Sequence, residues 1–206
     1  MSSGYTIILE GLDATADLAA LTPKLTEAAR QAINRTLDRT RTQAAREIRR
    51  QVAFPASYLS PSGERLVVSK RASDTNLEGV ISGRWRATSL ARFAKNTDPK
   101  AARRRGGVTV TIKPGSAKFM KGAWLVRLRA GSEKTDTQFN LGLAMRLKPG
   151  ETLRNSRGAV RLDNNVWLLY GPSVSQVFTT VRDDLTPETL DFLEKEFERL
   201  RVVRGI

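Results

Sequence analysis

The feature that most constrains this chain is an uninterrupted helical pattern between Thr22 and Val52. The stretch contains no glycine, and its one proline, Pro23, follows Thr22, so the pair fits an N-cap and a first helical position. We predict one helix of roughly 30 residues, about 45 Å long at the usual rise per residue. Its apolar face is narrow and rich in alanine, so another element must pack close against it. The residues of this face are Leu25, Ala29, Ile33, Leu37, Ala44, Ile48 and Val52.

Arginines cover the other faces of this predicted helix. A helix so long exceeds the usual length in a globular domain, and its basic character indicates a part that contacts neighbouring molecules. Four arginines lie roughly on one side, where they could follow phosphates or dock on an acidic subunit: Arg35, Arg39, Arg46 and Arg50.

The charge of the whole chain suggests the same kind of contact. With 35 basic and 21 acidic side chains, the net charge of +14 either solubilises the protein or serves an anionic partner, nucleic acid or an acidic protein surface. The segment from Arg182 to Ile206 has the opposite sign, with five basic and seven acidic residues. This polarity suits head-to-tail self-association, in which Glu194 and Glu198 meet the basic part of the next subunit, although plain solvation would also explain it.

Two missing residue types restrict the chemistry. The sequence has no histidine and no cysteine, which removes Ser-His-Asp, Cys-His and HExxH arrangements, disulfides and thiolate metal sites. The nearest carboxylate cluster for a divalent metal is Asp183, Asp184 and Glu188, and helix capping explains these residues more simply. We therefore predict no enzyme, no catalytic or metal site, no cofactor and no small-molecule substrate.

Hydropathy argues against a membrane partner. Mean hydropathy is −0.36, and no apolar run approaches the roughly 18 to 20 residues of a spanning helix. The first residues carry neither a charged segment nor a long apolar one, so they do not predict a secretory signal.

A series of short strands is predicted around the long helix and beyond it. Residues 5–9 predict a strand, residues 12–21 a preliminary helical turn, and residues 54–63 a loop. Further strands are predicted over residues 65–69, 77–82, 108–113, 123–130 and 139–148, and a hairpin joins residues 160–162 to 166–169 through Asp163, Asn164 and Asn165.

Two helices are predicted after Pro172. The first carries an apolar face at Val174, Val177, Phe178 and Val181. Thr186 and Pro187 mark the start of the second, whose apolar face consists of Leu190, Leu193, Phe197 and Leu200. This order predicts a single α+β domain over residues 1–206, in which a long N-terminal helix and C-terminal helices pack on a mainly antiparallel sheet.

The most loop-like stretch covers residues 97–107. Arg103, Arg104 and Arg105 stand there beside two glycines. They form either the mobile tip of a protruding surface hairpin or a finger that contacts phosphates or an acidic partner.

The three tryptophans could stack on bases. Trp124 and Trp167 lie in apolar or alternating segments, which favours packing in the core. Trp85, between Arg84 and Arg86, is the best candidate for an exposed role.

Several segments together resemble the minor tail protein Z family of tailed phages and prophages. The long helix contains AARQAINRTLDRTRTQAAREIRR, with an AINR motif at Ala32 to Arg35 that is similar to the opening helix of that family. The spacing of apolar residues between positions 52 and 93 resembles the middle of the family. GPSVSQVF at residues 171–178 resembles its proline-containing entry to the last helices.

The resemblance implies a structural virion protein of the tail or neck, without catalytic residues. The chain would complete the head-proximal end of the tail and join it to the head as a homo-oligomeric ring, such as a hexamer, around the DNA channel. Expected partners are further copies of the chain, tail-terminator or tail-tube proteins, head-completion or connector proteins, and the DNA in the channel. Assembly in the reducing host cytoplasm agrees with the absence of cysteine. The alternative function is a basic nucleic-acid-binding module.

Overall fold

A computed structural model of the chain describes residues 23–128, 140–148, 150–153 and 158–206. The helices are α1 (Pro23–Gln51), α2 (Pro99–Arg104) and α3 (Val174–Val203). The strands are β1 (Leu66–Lys70), β2 (Val80–Gly83), β3 (Thr88–Ser89), β4 (Gly107–Lys113), β5 (Ser116–Lys121), β6 (Ala123–Arg127), β7 (Leu141–Arg146), β8 (Ala159–Arg161) and β9 (Val166–Gly171). Helices combined with antiparallel sheets confirm the predicted α+β class.

The chain divides into two compact units. The helical unit comprises Met1–Ile48, Ala56–Trp85 and Val174–Ile206, and the strand unit comprises Arg49–Pro55 and Arg86–Ser173. The division does not test whether the units act as one domain, so the single domain stays a prediction. The elements expected over residues 5–21 lie outside the described residues.

Helix α1 follows the pattern that predicts it. Ala28 and Ala32 have no exposed surface and pack with Leu200 of α3, because their small side chains let a second helix approach closely. Thr36 and Thr40 are also buried, which widens the stripe beyond its apolar members. The predicted stripe itself is buried at Ala29, Ile33, Leu37, Ala44 and Ile48.

The C-terminal helical segment is one helix, so the prediction of a second start at Thr186 and Pro187 is wrong. Pro187 lies inside α3, where it can donate no hydrogen bond to the preceding turn. Leu185 and Thr189, on either side of it, are both buried. Packing of this face keeps the helix continuous and overrides the local signal of the proline.

A small hairpin completes the helical unit. Strands β1 and β2 pair antiparallel, with Leu66 opposite Gly83. A Cβ atom on Gly83 would lie 3.0 Å from the Cα atom of Ser175, so the absent side chain lets the start of α3 approach the strand. The predicted strands at residues 65–69 and 77–82 correspond to this hairpin. The predicted loop over residues 54–63 contains two short 3-10 turns, Ala56–Leu59 and Pro61–Gly63.

The larger sheet of the strand unit runs in the order β3-β9-β7-β6, with β8 also paired to β9. Leu143 of β7 has no exposed surface and lies between Leu125 of β6 and Leu169 of β9. The predicted hairpin of β8 and β9 is confirmed, and its turn places Asn164 and Asn165 at φ 55° and 57°. Asparagine tolerates this left-handed region better than most residues.

Strands β4 and β5 form a separate two-stranded sheet. The outer edge of β4 is covered, since Thr109 and Ile112 accept hydrogen bonds from the N–H groups of Lys95 and Ala53 at 2.9 and 2.7 Å. Strand β5 has no further strand partner in the described chain. The sequence pattern missed β5 because residues 116–119 are all exposed, so no apolar alternation marks them.

The prediction of a loop over residues 97–107 is wrong in part. Pro99–Arg104 form α2, and Gly107 begins β4. The side chain of Asp98 accepts a hydrogen bond from the Lys100 N–H group at 2.9 Å, with Pro99 in the first helical position. Asp98 is therefore the N-cap, and Asp-Pro is a helix-start signal that the charge and glycine content of this stretch conceal.

Candidate interaction surfaces

Three ion pairs join α1 either to α3 or to Arg204, the residue directly after α3, within the helical unit. As the chain advances along α1, the partners recede along α3, so the two helices are antiparallel. These contacts link Glu27 to Arg204, Arg35 to Glu196, and Arg39 to Glu188.

Glu196 is the buried member of this set, with 7% of its surface exposed. It accepts hydrogen bonds from Arg35 and from Arg199, whose Nε and terminal nitrogen lie 2.9 and 2.8 Å from its oxygens. Hydrogen bonds from Arg199, followed by those from Arg35, outweigh the effect of burial and lower the pKa of Glu196 from 4.5 to about 2. Arg35, a predicted contact for another molecule, is therefore engaged within its own chain.

Arg39 is engaged in the same way. Its guanidinium donates to Glu188 at 2.8 Å and lies 4.3 Å from the ring centre of Phe192. Glu188 also accepts from Gln43 at 2.6 Å, and the hydrogen bond from Arg39 is the first cause of its lowered pKa. The capping role expected for Glu188 is thus replaced by a bridge between the two helices.

The AINR motif has a structural role at each position. Ala32 is fully buried beside α3, and Ile33 is buried in the core. Asn34 forms two hydrogen bonds with the backbone of Ala72, donating to its carbonyl and accepting from its N–H group, both at 3.0 Å. Arg35 pairs with Glu196. The motif therefore fixes the helix to two distant segments of the same unit.

The remaining predicted residues of the two helices are exposed. Arg46 and Glu194 have no polar partner among the described residues, whereas Glu198 pairs with Arg201 on its own helix at 3.0 Å. Arg50 is exposed but has a contact of its own. Of the residues predicted to mediate interactions, Arg46 and Glu194 thus keep their charges available in the helical unit.

Arg104 and Arg105 are exposed at the end of α2 and directly before β4. Neither has an ion-pair partner in the part of the chain that the structure describes. The side chain of Arg103 lies outside the described atoms. Two of the three predicted loop arginines are therefore free to contact an anion.

The net charge is confined to one unit. The residues of the strand unit include 20 basic and 5 acidic side chains, a formal charge of +15, whereas the helical unit has 15 basic and 16 acidic ones, a charge of −1. The stretch from residue 99 to residue 132 contains nine basic residues and no acidic one. The sequence did not reveal this segregation, because segments of the two units alternate along the chain. Comparing the charge of the two ends of the sequence therefore does not compare the two units.

We name the surface formed by β4, β5, their turn and the two preceding arginines the cationic ribbon. Gly106 accepts a hydrogen bond from the Gly122 N–H group at 2.9 Å, which closes the base of the ribbon beside Arg105. Every residue from Lys113 to Phe119 is exposed. Its basic side chains, all without an ion-pair partner among the described residues, are Arg104, Arg105, Lys113, Lys118 and Lys121.

Trp85 is exposed over 70% of its surface, as predicted for the best stacking candidate. Trp124 and Trp167 are half-buried. The centre of the Trp167 ring lies 5.9 Å from the guanidinium carbon of Arg161, so this ring already has a cation-π contact within the strand unit.

No group of three or more carboxylates that could hold a metal ion occurs in the described ranges. None of the helices in the described part of the chain is both long enough and apolar enough to cross a bilayer.

Comparisons with protein-family models, with curated proteins and with solved structures found no match. The family resemblance drawn from short motifs therefore stays a hypothesis. A functional hypothesis must therefore be argued from the paired charges of the helical unit and the cations of the strand unit that are unpaired among the described residues.

Proposed function

We propose that this chain is a structural protein of a phage tail or neck, which completes the head-proximal end of the tail and joins it to the head. It does so as a homo-oligomeric ring around the DNA channel. The observation that carries the proposal is the segregation of charge, +15 on the strand unit against −1 on the helical unit. A ring subunit needs one surface suited to protein neighbours and another that tolerates DNA, and such a division supplies both.

The helical unit suits the role of a protein-contacting scaffold. Its two long helices are joined by ion pairs, by the hydrogen bond between the Thr40 and Thr189 hydroxyl groups at 3.1 Å, and by close packing at the alanines of α1. Such contacts hold the exposed outer faces of the helices in fixed positions. Arg46 on α1 and Glu194 on α3 are the predicted interaction residues that remain without a partner there.

Sedimentation of the purified full chain at low salt, followed by electron micrographs of the same sample, tests the proposal. We expect a closed ring with a central opening that accommodates duplex DNA. A chain that stays monomeric at high concentration, and that binds neither tail-tube nor head-completion proteins, would contradict it.

A charge exchange tests whether the exposed residues of the helical unit join subunits. Glu194→Arg and Arg46→Glu should each weaken the ring without unfolding the chain, because neither residue has a partner within it. If the two residues meet between subunits, the double variant should recover assembly. Unchanged assembly in both single variants would exclude this contact, and the ring would then require another surface.

A further inference from the structure

The cationic ribbon has a charge pattern of one sign along its whole length. Its residues, 104–121, contain five basic side chains and no acidic one. Protein interfaces usually combine both signs around an apolar centre, because a folded partner presents a mixed surface. A polymer with a regular series of phosphates presents one sign only, and a surface of uniform positive charge complements it.

The cations of the ribbon are available for such a partner. Arg104 and Arg105 lie at its base, Lys113 near its turn, and Lys118 and Lys121 along β5. All five are exposed and have no ion-pair partner among the described residues. By contrast, the arginines of α1 that were predicted to follow phosphates are held by carboxylates of α3 at Arg35 and Arg39.

The dimensions of the ribbon suit duplex DNA. The exposed turn and β5 can lie along the backbone of a duplex, and residues advance by about 3.3 Å along each strand. Lys118 and Lys121 are therefore about 10 Å apart, and the ribbon extends roughly 20 Å from its base to the turn. Cations distributed over that length can contact phosphates on either side of a groove.

Single-stranded nucleic acid fits the ribbon less well. Single-strand surfaces stack successive bases on several aromatic side chains. Phe119 is the one aromatic residue of the ribbon, and its ring packs over Gly107, where an added Cβ atom would lie 2.6 Å from the ring edge. The ring therefore contacts the glycine of the neighbouring strand, while Phe119 remains 51% exposed. A single aromatic side chain does not provide the series of platforms on which successive bases stack.

A second copy of the chain offers scattered free carboxylates, such as Glu194, and many of its other carboxylates are already paired. Glu27, Glu188 and Glu196 are paired with Arg204, Arg39 and Arg35, and Asp38 accepts two hydrogen bonds from Arg71 at 3.1 and 2.6 Å. Their charges are compensated within the helical unit. A second copy therefore presents fewer unpaired anions than the regular series of phosphates along duplex DNA.

We propose that the cationic ribbon binds the phosphate backbone of double-stranded DNA without reading its sequence. The contact neutralises phosphates through Arg104, Arg105, Lys113, Lys118 and Lys121. It does not depend on the proposed role in the tail, since a monomer would bind DNA through the same residues.

Fluorescence anisotropy of a labelled duplex with the full chain tests this inference. Affinity should fall steeply between about 50 and about 200 mM salt, with a slope of roughly −0.9 for each neutralised phosphate. The variant Lys118→Gln/Lys121→Gln should make the slope shallower by about 2 and weaken binding at about 100 mM salt by roughly 10- to 100-fold.

The control removes the same charge from the other unit. Lys24→Gln/Lys195→Gln also lowers the net charge by two, at exposed positions of α1 and α3, and among the described residues Lys195 pairs only with Asp191 one turn away on its own helix. We expect its affinity and salt slope to equal those of the unmodified chain. Circular dichroism of both variants confirms that the fold is retained.

Four results would overturn the inference. The first is no binding of the duplex at low salt. The second is an equal loss of affinity in the control variant and the ribbon variant, which would mean that bulk charge alone acts. A single strand of the same sequence could bind as tightly as the duplex. Polyglutamate could bind more tightly than DNA at the same concentration of charge, which would assign the ribbon to an acidic protein. Each result is independent of whether the chain assembles into a ring.

Discussion

The two units use opposite arrangements of charge. In the helical unit, acidic and basic residues are nearly equal in number, and arginines reach across to carboxylates far away in the sequence, as Arg35 does to Glu196 and Arg71 to Asp38. The strand unit has four basic residues for each acidic one, and the cations of its ribbon remain unpaired among the described residues. Charges are paired within the first unit, whereas the ribbon cations of the second have no ion-pair partner among the described residues.

The difference indicates where the charge contributes to folding and where it contributes to binding. Unpaired like charges raise the free energy of a compact unit through mutual repulsion, so they are retained for a purpose other than stability. Paired charges across two helices fix the relative position of those helices instead. The number of arginines in α1 therefore overstates the basic surface of that helix.

The largest expected difference between the units is their response to acid. The pKa of Glu196 is about 2 in the folded chain, below its ordinary value of 4.5. A lowered folded-state pKa contributes stability that is complete above the unfolded value and is lost as the pH falls through the folded value. Between pH 5 and pH 2, the helical unit should lose up to about 3 kcal/mol of its free energy of unfolding through this carboxyl group.

Urea unfolding of Glu196→Gln, followed by the helical circular dichroism signal, measures this contribution. The variant should be less stable at neutral pH and should depend less on pH in the acid range, because the amide does not titrate. Glu194→Gln, on the same helix but exposed and without a partner among the described residues, is the matched control and should keep the acid response. Equal pH profiles for both variants would remove the assigned role of Glu196.

A second test concerns the way α1 holds its unit together through a neutral side chain. Asn34→Ala removes both hydrogen bonds to the buried Ala72 and leaves its N–H and carbonyl groups unpaired. The free energy of unfolding should fall by about 2 kcal/mol. Gln31→Ala serves as the control, since Gln31 bonds only to Glu27 one turn away at 3.2 Å, and its effect should stay within about 0.5 kcal/mol. A similar change in both variants would show that the two hydrogen bonds from Asn34 to Ala72 add no stability of their own.

Sequence patterns predicted those elements whose structure is determined by residues within the same segment. The uninterrupted period of α1 and the two asparagines between β8 and β9 each determine their own segment. The partner of Arg35 lies 161 residues away, so no spacing rule could assign it. Lys113, Lys118 and Lys121 are separated in sequence and form no run, so the ribbon becomes visible only when β4 and β5 are paired. Of the candidate residues, Arg35 and Arg39 are paired within the chain, whereas Arg46, Arg104, Arg105 and Glu194 are exposed without an ion-pair partner among the described residues.

The turn between β8 and β9 provides a test in the strand unit, where backbone conformation replaces side-chain pairing. Asn164 has φ 55°, a value that costs most side chains about 1 kcal/mol or more. Asn164→Ala should therefore lower the free energy of unfolding of this unit by about 1 kcal/mol, while Asn164→Gly should leave it nearly unchanged. Hydrogen exchange of peptides from β9 measures both. A greater loss for glycine than for alanine would contradict the assigned turn.

Added salt should produce the smallest change in stability, and the sign of that change should differ between the two units. Sodium chloride screens the exposed ion pairs of the helical unit, such as Arg71 with Asp38, and weakens them by a few tenths of a kcal/mol. It also screens repulsion among the 20 basic residues of the strand unit, so that unit should become more stable. Hydrogen exchange between about 50 mM and about 500 mM salt should show slightly faster opening in peptides from α1 and α3 and slower opening in peptides from β6, β7 and β9. The ribbon variant Lys118→Gln/Lys121→Gln should reduce the stabilisation of the strand unit by salt, because it removes part of the repulsion. A shift of the same sign in both units would mean that charge segregation does not govern their stability, even where it governs binding.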